Sequence, residues 1–144
     1  MPEEVYVVAF DDQSGDLAVL DCAIGMAKRS GAKLNIVHVL EWSPYSFLTQ
    51  EELAERHARR NEELSRAKSA VLAPAIEHAR AEGVTADGEV RHGQTIELIT
   101  RAASDSGASL IFVGRTGSSI GARIFGSVPL GLSQVATVPV VIVP

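Results

Sequence analysis

The run Val5-Tyr6-Val7-Val8-Ala9-Phe10-Asp11 sets the architecture of this chain. Apolar residues follow one another from Val5 to Phe10 without polar alternation, the pattern of a parallel strand buried on both faces. Outward from it, strand and helix alternate to the last residue. Asp11-Asp12-Gln13-Ser14 turns the chain into a first helix, with Ser14 as candidate N-cap and Asp16 in the first turn. Leu17, Leu20, Ile24 and Ala27 recur at helical spacing, and Lys28-Arg29-Ser30-Gly31 is a matched stop signal. Leu34 to Leu40 reads as the second strand, and Trp42 to Phe47 as a loop.

Thr49-Gln50-Glu51-Glu52 is a capping box that opens a long second helix. Its apolar stripe runs Leu53, Leu64, Val71, Leu72, Ala75, Ile76, Ala79, with the charges mostly on the other face. Pro74 must kink or break this helix, because proline removes a donor and clashes with the preceding turn. Val84 to Val90 is a weaker third strand, interrupted by Asp87-Gly88. Thr95 is read as the cap of a third helix reaching Ser106, with Ile96, Ile99 and Ala103 inward. Leu110 to Val113 is the fourth strand. A glycine-spaced segment, a short helix from Ser127 to Ala136 and a last strand, Val138 to Val143, complete the chain.

Five strands joined by helical crossovers predict an α/β fold: an open, doubly wound five-stranded parallel sheet with helices on both faces. The expected order is 3-2-1-4-5, in one domain over residues 1–144. Ligands on such sheets bind beyond the carboxyl ends of the strands, where the winding reverses. In that order strands one and four are neighbours, so Asp11 and Gly114 face one crevice.

At 144 residues the chain can bury roughly 68–70% of its unfolded surface, enough for a core. A net charge of −5 argues against nucleic acid as a partner. Cys22 is the only cysteine, which excludes an internal disulfide and a thiolate metal site, and its helical apolar setting makes it core filler. The acidic start Met1-Pro2-Glu3-Glu4 is unlike a secretory signal, and no apolar run approaches a membrane span, so a cytoplasmic protein is expected.

Charge is unevenly spread. Residues 106–144 contain no acid and only Arg115 and Arg123 as cations, whereas residues 1–105 carry a net −7. Within the acid-free part lies Gly114-Arg115-Thr116-Gly117, then Gly126-Ser127-Val128 opening a helix. Glycine lets backbone N–H groups approach a phosphate, and a helix N-terminus adds partial positive charge. The segment is a candidate anion cradle.

Other motifs lead elsewhere and fail. Arg91-His92-Gly93-Gln94-Thr95 resembles the signature of the histidine phosphatase superfamily, but that site needs a second histidine and further basic partners, and no histidine follows His92. Asp11-Asp12 resembles the acidic pair of response-regulator receivers, which also need a lysine late in the chain; none follows Lys68. Gly-x-Gly-x-x-Gly and Gly-Lys-Ser/Thr fingerprints are absent. His38, in an apolar strand, reads as a core or rim histidine.

Taken together, Asp11 after strand one, His38-Val39 in strand two, Gly93 after strand three, Val113-Gly114-x-x-Gly117, Gly126-Ser127-Val128 and the closing Val138 to Val143 resemble the universal stress protein family over the whole chain. In its ATP-binding branch the aspartate holds ribose, its strand neighbours and the valine of strand two frame adenine, and the glycine turn with the Gly-Ser wraps ribose and phosphates. The resemblance therefore nominates Ala9, Phe10, Asp11, Val39, Val113, Gly114, Gly117, Gly126, Ser127 and Val128 as nucleotide-binding residues, with no catalytic or metal-ligating residue. One departure stands out: the family pattern has nine residues between the second glycine and the Gly-Ser, and here there are eight, Ser118 to Phe125.

The resemblance implies a stress-response protein that binds ATP, or AMP or ADP, with Mg2+ carried by the phosphates, in a regulatory rather than catalytic role. The alternatives are a protein-interaction module of the same family with an unknown protein partner, and a weak ATPase or phosphotransferase. Val138 to Val143, apolar on both faces and at a sheet edge, further predicts a homodimer through that strand.

Overall fold

The computed structural model describes residues 3–11, 16–41, 49–115 and 127–144. Their elements are β1 (Val5–Ala9), α1 (Asp16–Ser30), β2 (Lys33–Glu41), α2 (Gln50–Arg66), a wider π-helical stretch (Ala67–Leu72), α3 (Ala73–Ala81), β3 (Ala86–Gly93), α4 (Thr95–Ser106), β4 (Leu110–Gly114), α5 (Ser127–Val135) and β5 (Val140–Val143). The strands form one parallel sheet ordered β3-β2-β1-β4-β5, as the alternation of apolar runs and amphipathic segments predicts.

β1 is central because both of its faces are apolar. Tyr6, Val8 and Phe10 join Leu34, Ile36 and Phe112 in a core covered by α1, the π-helical stretch and α3. Val7 faces the other way, with Val37, Val39, Ile111 and Val113, under Ile99, Ala102 and Ala103 of α4 and Leu132 of α5. Each fully buried aliphatic side chain contributes about 1.5–3 kcal/mol relative to exposure. Gly31, at φ 78°, ends α1 where only a residue tolerant of the left-handed region fits, as its place after Lys28 and Arg29 suggests.

Several boundaries differ from the sequence reading, each for a local reason. Leu17, in the first turn of α1, is 55% exposed; Val19 and Ala23 join Leu20, Ile24 and Ala27 on the inward face. The Thr49 capping box is present, with Glu52 N–H donating to Thr49 Oγ1 and Thr49 N–H donating to Glu52 Oε2. Yet α2 buries no residue and Leu53 stays exposed; the stripe turns inward only from Ala67 onward. Pro74 does not end the helical run. The backbone widens ahead of it, with Ala73 N–H bonded to Lys68 O, five residues back. Pro74 then falls in the first turn of α3, where its missing N–H matters least. Gln94, in extended conformation and without a side-chain bond, occupies the N-cap of α4, and Thr95 is the first helical residue. β5 begins at Val140 because Pro139 has no N–H for the ladder, although its carbonyl still accepts Ile111 N–H.

β3 departs most. Asp87-Gly88 does not interrupt it: the pairing with β2 runs unbroken from Leu34↔Ala86 to Glu41↔Gly93. Gly88 is required for packing rather than for a turn. A Cβ there would lie 2.6 Å from Leu72 Cδ1 and 2.7 Å from Ile36 O. The leucine of the π-helical stretch thus sits directly on the sheet backbone. Gly88→Ala must push Leu72 and the β2 carbonyl apart, so we expect it to cost about 1–3 kcal/mol in denaturant unfolding. An unchanged unfolding midpoint would contradict this packing.

Candidate functional site

β1 lies between two parallel neighbours, so the carboxyl ends of β2, β1 and β4 emerge side by side. Ala9 pairs with Val37, and Val8 with Phe112. One step further along each register, Phe10 lies beside His38 and Ala9 beside Val113. The helix that follows β1 packs on one face of the sheet, and the helix that follows β4 packs on the other through Val128 and Leu132. Helices that leave to opposite faces open a crevice above the β1 and β4 ends.

Phe10 is a hinge between core and rim. Its ring is buried with α1 and α3, its N–H donates to Val37 O at 2.9 Å, and its carbonyl lies 2.8 Å from His38 Nδ1. A carbonyl can only accept, so Nδ1 carries the proton in this contact. Asp11 follows at the rim, its side chain 49% exposed and its Oδ1 3.9 Å from the same Nδ1. That separation exceeds hydrogen-bond range but leaves the carboxylate near the N–H edge of a buried imidazole. Val39 and Val113 are buried on the α4 face. Gly114 closes β4 opposite Val143, and Arg115 N–H donates to Val143 O at 2.8 Å.

The structure thus gathers Ala9, Phe10, Asp11, Val39, Val113 and Gly114 at the carboxyl end of three adjacent strands. Ser127 is the first residue of α5, and Val128 packs against the α4 core. Gly117 and Gly126, with the segment between them, lie outside the described residues, as do Ser14 and the Trp42 to Phe47 loop. His38 is a buried, hydrogen-bonded histidine near the rim, in keeping with its reading as a core or rim histidine; its partner is what the sequence did not name. It is the one buried polar side chain among the described residues, and it acts on the exit of β1. The contact follows from the register, in which Ala9 pairs with Val37 and residue 38 therefore falls beside residue 10.

Arg91-His92 forms no phosphate clamp. The Arg91 guanidinium is held by Glu89 and by Asp105 Oδ2 at 3.2 Å, while Asn35 Nδ2 donates to Glu89 Oε2 at 3.2 Å. Burial pulls the Arg91 pKa down, but the bonds to Glu89 and Asp105 outweigh it and the net shift is upward. The group is a structural tie between β3 and α4. Cys22 is a free thiol, half-buried against the α1 core.

His92 titrates below the ordinary imidazole value of 6.5, first because burial disfavours its charged form and then through Arg60; Glu63 opposes and Arg56 adds. The unfolded chain therefore binds the extra proton first as pH falls through 6.5, and stability drops from that point down. Replacing His92 with Gln should flatten the fall in Tm between pH 7.5 and 5.5. Identical Tm profiles for the two proteins would show that His92 carries none of it.

The model of the universal stress protein family matches residues 5–144. The Bacillus subtilis universal stress protein YxiE is 32% identical, over 95% of this chain and 96% of its own length. A universal stress protein solved in complex with cAMP superposes with a TM-score of 0.72 at 25% identity, covering 100% of this chain and 98% of that one. The Archaeoglobus fulgidus universal stress protein in complex with dAMP gives a TM-score of 0.64 at 25% identity, with 100% of both chains covered. Among the described residues no helix is long and apolar enough to cross a membrane. With the family pattern matched from the first strand to the last residue, this chain belongs to the universal stress protein family.

Proposed function

We propose that this protein binds an adenine nucleotide, ATP in particular, in the crevice above the β1 and β4 ends, and that binding serves regulation rather than turnover. The observation that carries the reading is the placement of Asp11 and Gly114 on adjacent strand ends where the winding reverses, with Asp11 half-exposed. A carboxylate there suits ribose hydroxyls, and the apolar Val39 and Val113 suit the adenine face. Ala9 and Phe10 complete the wall. Backbone N–H groups at Gly114, Gly117, Ser127 and Val128 would take phosphate oxygens, with the start of α5 adding its dipole and Gly126 allowing close approach. Mg2+ would enter on the phosphates. The ligands of the two related structures, cAMP and dAMP, share adenine and one phosphate, and AMP or ADP would fit the same contacts.

A second reading, an interaction module with an empty crevice, is favoured by the eight-residue spacing between Gly117 and Gly126. One residue fewer shortens the reach of the segment by up to about 3.3–3.6 Å. Isothermal titration of ATP, AMP and cAMP into nucleotide-free protein separates the two. Heat with saturation supports the nucleotide reading; no heat at millimolar ligand supports the interaction module. If the glycines serve backbone approach, Gly117→Val or Gly126→Val weakens ATP binding about 10-fold or more, about 1.4 kcal/mol. Unchanged affinity in both variants would place the ligand elsewhere.

The sheet edge supports a homodimer through Val138 to Val143. β5 pairs only with β4 in the described sheet. Val141 and Val143 pack into the α1 core, so the outward side chain is Ile142, 43% exposed. Leu130 and Val135 of α5 are exposed as well. Ile142→Lys should convert a dimer to monomer in sedimentation at micromolar concentration without a large loss of Tm. A monomer in the unsubstituted protein would rule out this dimer.

A further inference from the structure

We infer that His38 is a positioning residue for the nucleotide site, fixing the exit of β1 so that Asp11 is presented to the ligand; the inference rests on the nucleotide reading above. A strand that ends at a rim leaves its last backbone groups to water, and the residue that follows is then free to turn. Here both backbone polar groups of Phe10 are fastened to β2, its N–H by Val37 O at 2.9 Å and its carbonyl by the His38 Nδ1 proton at 2.8 Å. Regular pairing of β1 ends at Ala9, so the histidine extends the attachment through Phe10. The imidazole is itself buried, 6% exposed within β2. Its Nδ1–H edge also lies 3.9 Å from Asp11 Oδ1, which biases the carboxylate towards the β2 side of the rim.

Two charged or titratable groups of the neighbouring β3, among the described residues, are engaged elsewhere. Arg91 is committed to Glu89 and Asp105, and His92 responds to Arg56, Arg60 and Glu63 of α2. A buried imidazole bonded to a backbone carbonyl could be mere satisfaction of a polar group. What separates a positioning role is energetic coupling to Asp11 in ligand binding.

The test is a double-mutant cycle on the full chain, read by isothermal titration with ATP, with circular dichroism and thermal unfolding on each variant. His38→Leu removes the donor. His38→Asn keeps an N–H donor near the Nδ1 position. Asp11→Ala removes the presented group. We expect His38→Leu to weaken ATP binding at least 10-fold, His38→Asn to restore affinity to within about 3-fold of the original, and His38→Leu to have little further effect once Asp11 is Ala. If His38→Leu does not fold, His38→Phe, which keeps a ring without a donor, takes its place in the cycle. Affinity unchanged on loss of the donor, or losses that add in full with Asp11→Ala, would overturn the positioning role while leaving the nucleotide reading intact. No heat from the unsubstituted protein would instead remove the nucleotide reading, and this inference with it.

Discussion

Everything in this molecule depends on β1 being hydrogen-bonded along both edges at once. A strand with parallel neighbours on each side has no free edge, and its side chains must alternate into two separate cores. Tyr6, Val8 and Phe10 enter one, and Val7 the other. That demand explains the uninterrupted apolar run, since a polar residue on either face would be buried without a partner. It also explains why the crevice lies where it does. Neighbours on both sides bring three carboxyl ends together, and the helices that serve them leave to opposite faces.

The second constraint is how closely the helices approach the sheet. Gly88 removes the side chain that would keep Leu72 off β3, and the π-helical stretch supplies the extra residue that brings Leu72 down. Pro74 shares in this arrangement, because the wider turn ahead of it removes the need for its missing donor. On the other face Gly131 of α5 lets that helix pack closely on α4, where an added Cβ would displace the Ile96 side chain.

The sequence made the sheet order, both cores and most strand positions legible, because buried parallel strands leave long apolar runs that admit few other readings. It was less informative where tertiary contact overrides local signal. Asp87-Gly88 carries the chemistry of a turn yet continues a strand, because eight pairs with β2 outweigh that preference. The capping box at Thr49 correctly starts α2, but caps say nothing about whether a helix meets the core, and this one buries none of its residues. In the candidate site, Asp11 and Gly114 were readable as strand-end residues. The attachment of Phe10 by His38 was hidden, since it exists only once two strands are in register.

The proposed ligand position, over the ends of β1 and β4, is open to direct observation. Backbone amide shifts of isotope-labelled protein titrated with AMP test it most directly. A nucleotide bound there gives saturable shifts concentrated at Phe10, Asp11, Val39, Gly114, Arg115, Ser127 and Val128, with α2 and the β3 edge silent. Shifts centred on α2 and His92, or no shifts at millimolar AMP, would contradict it.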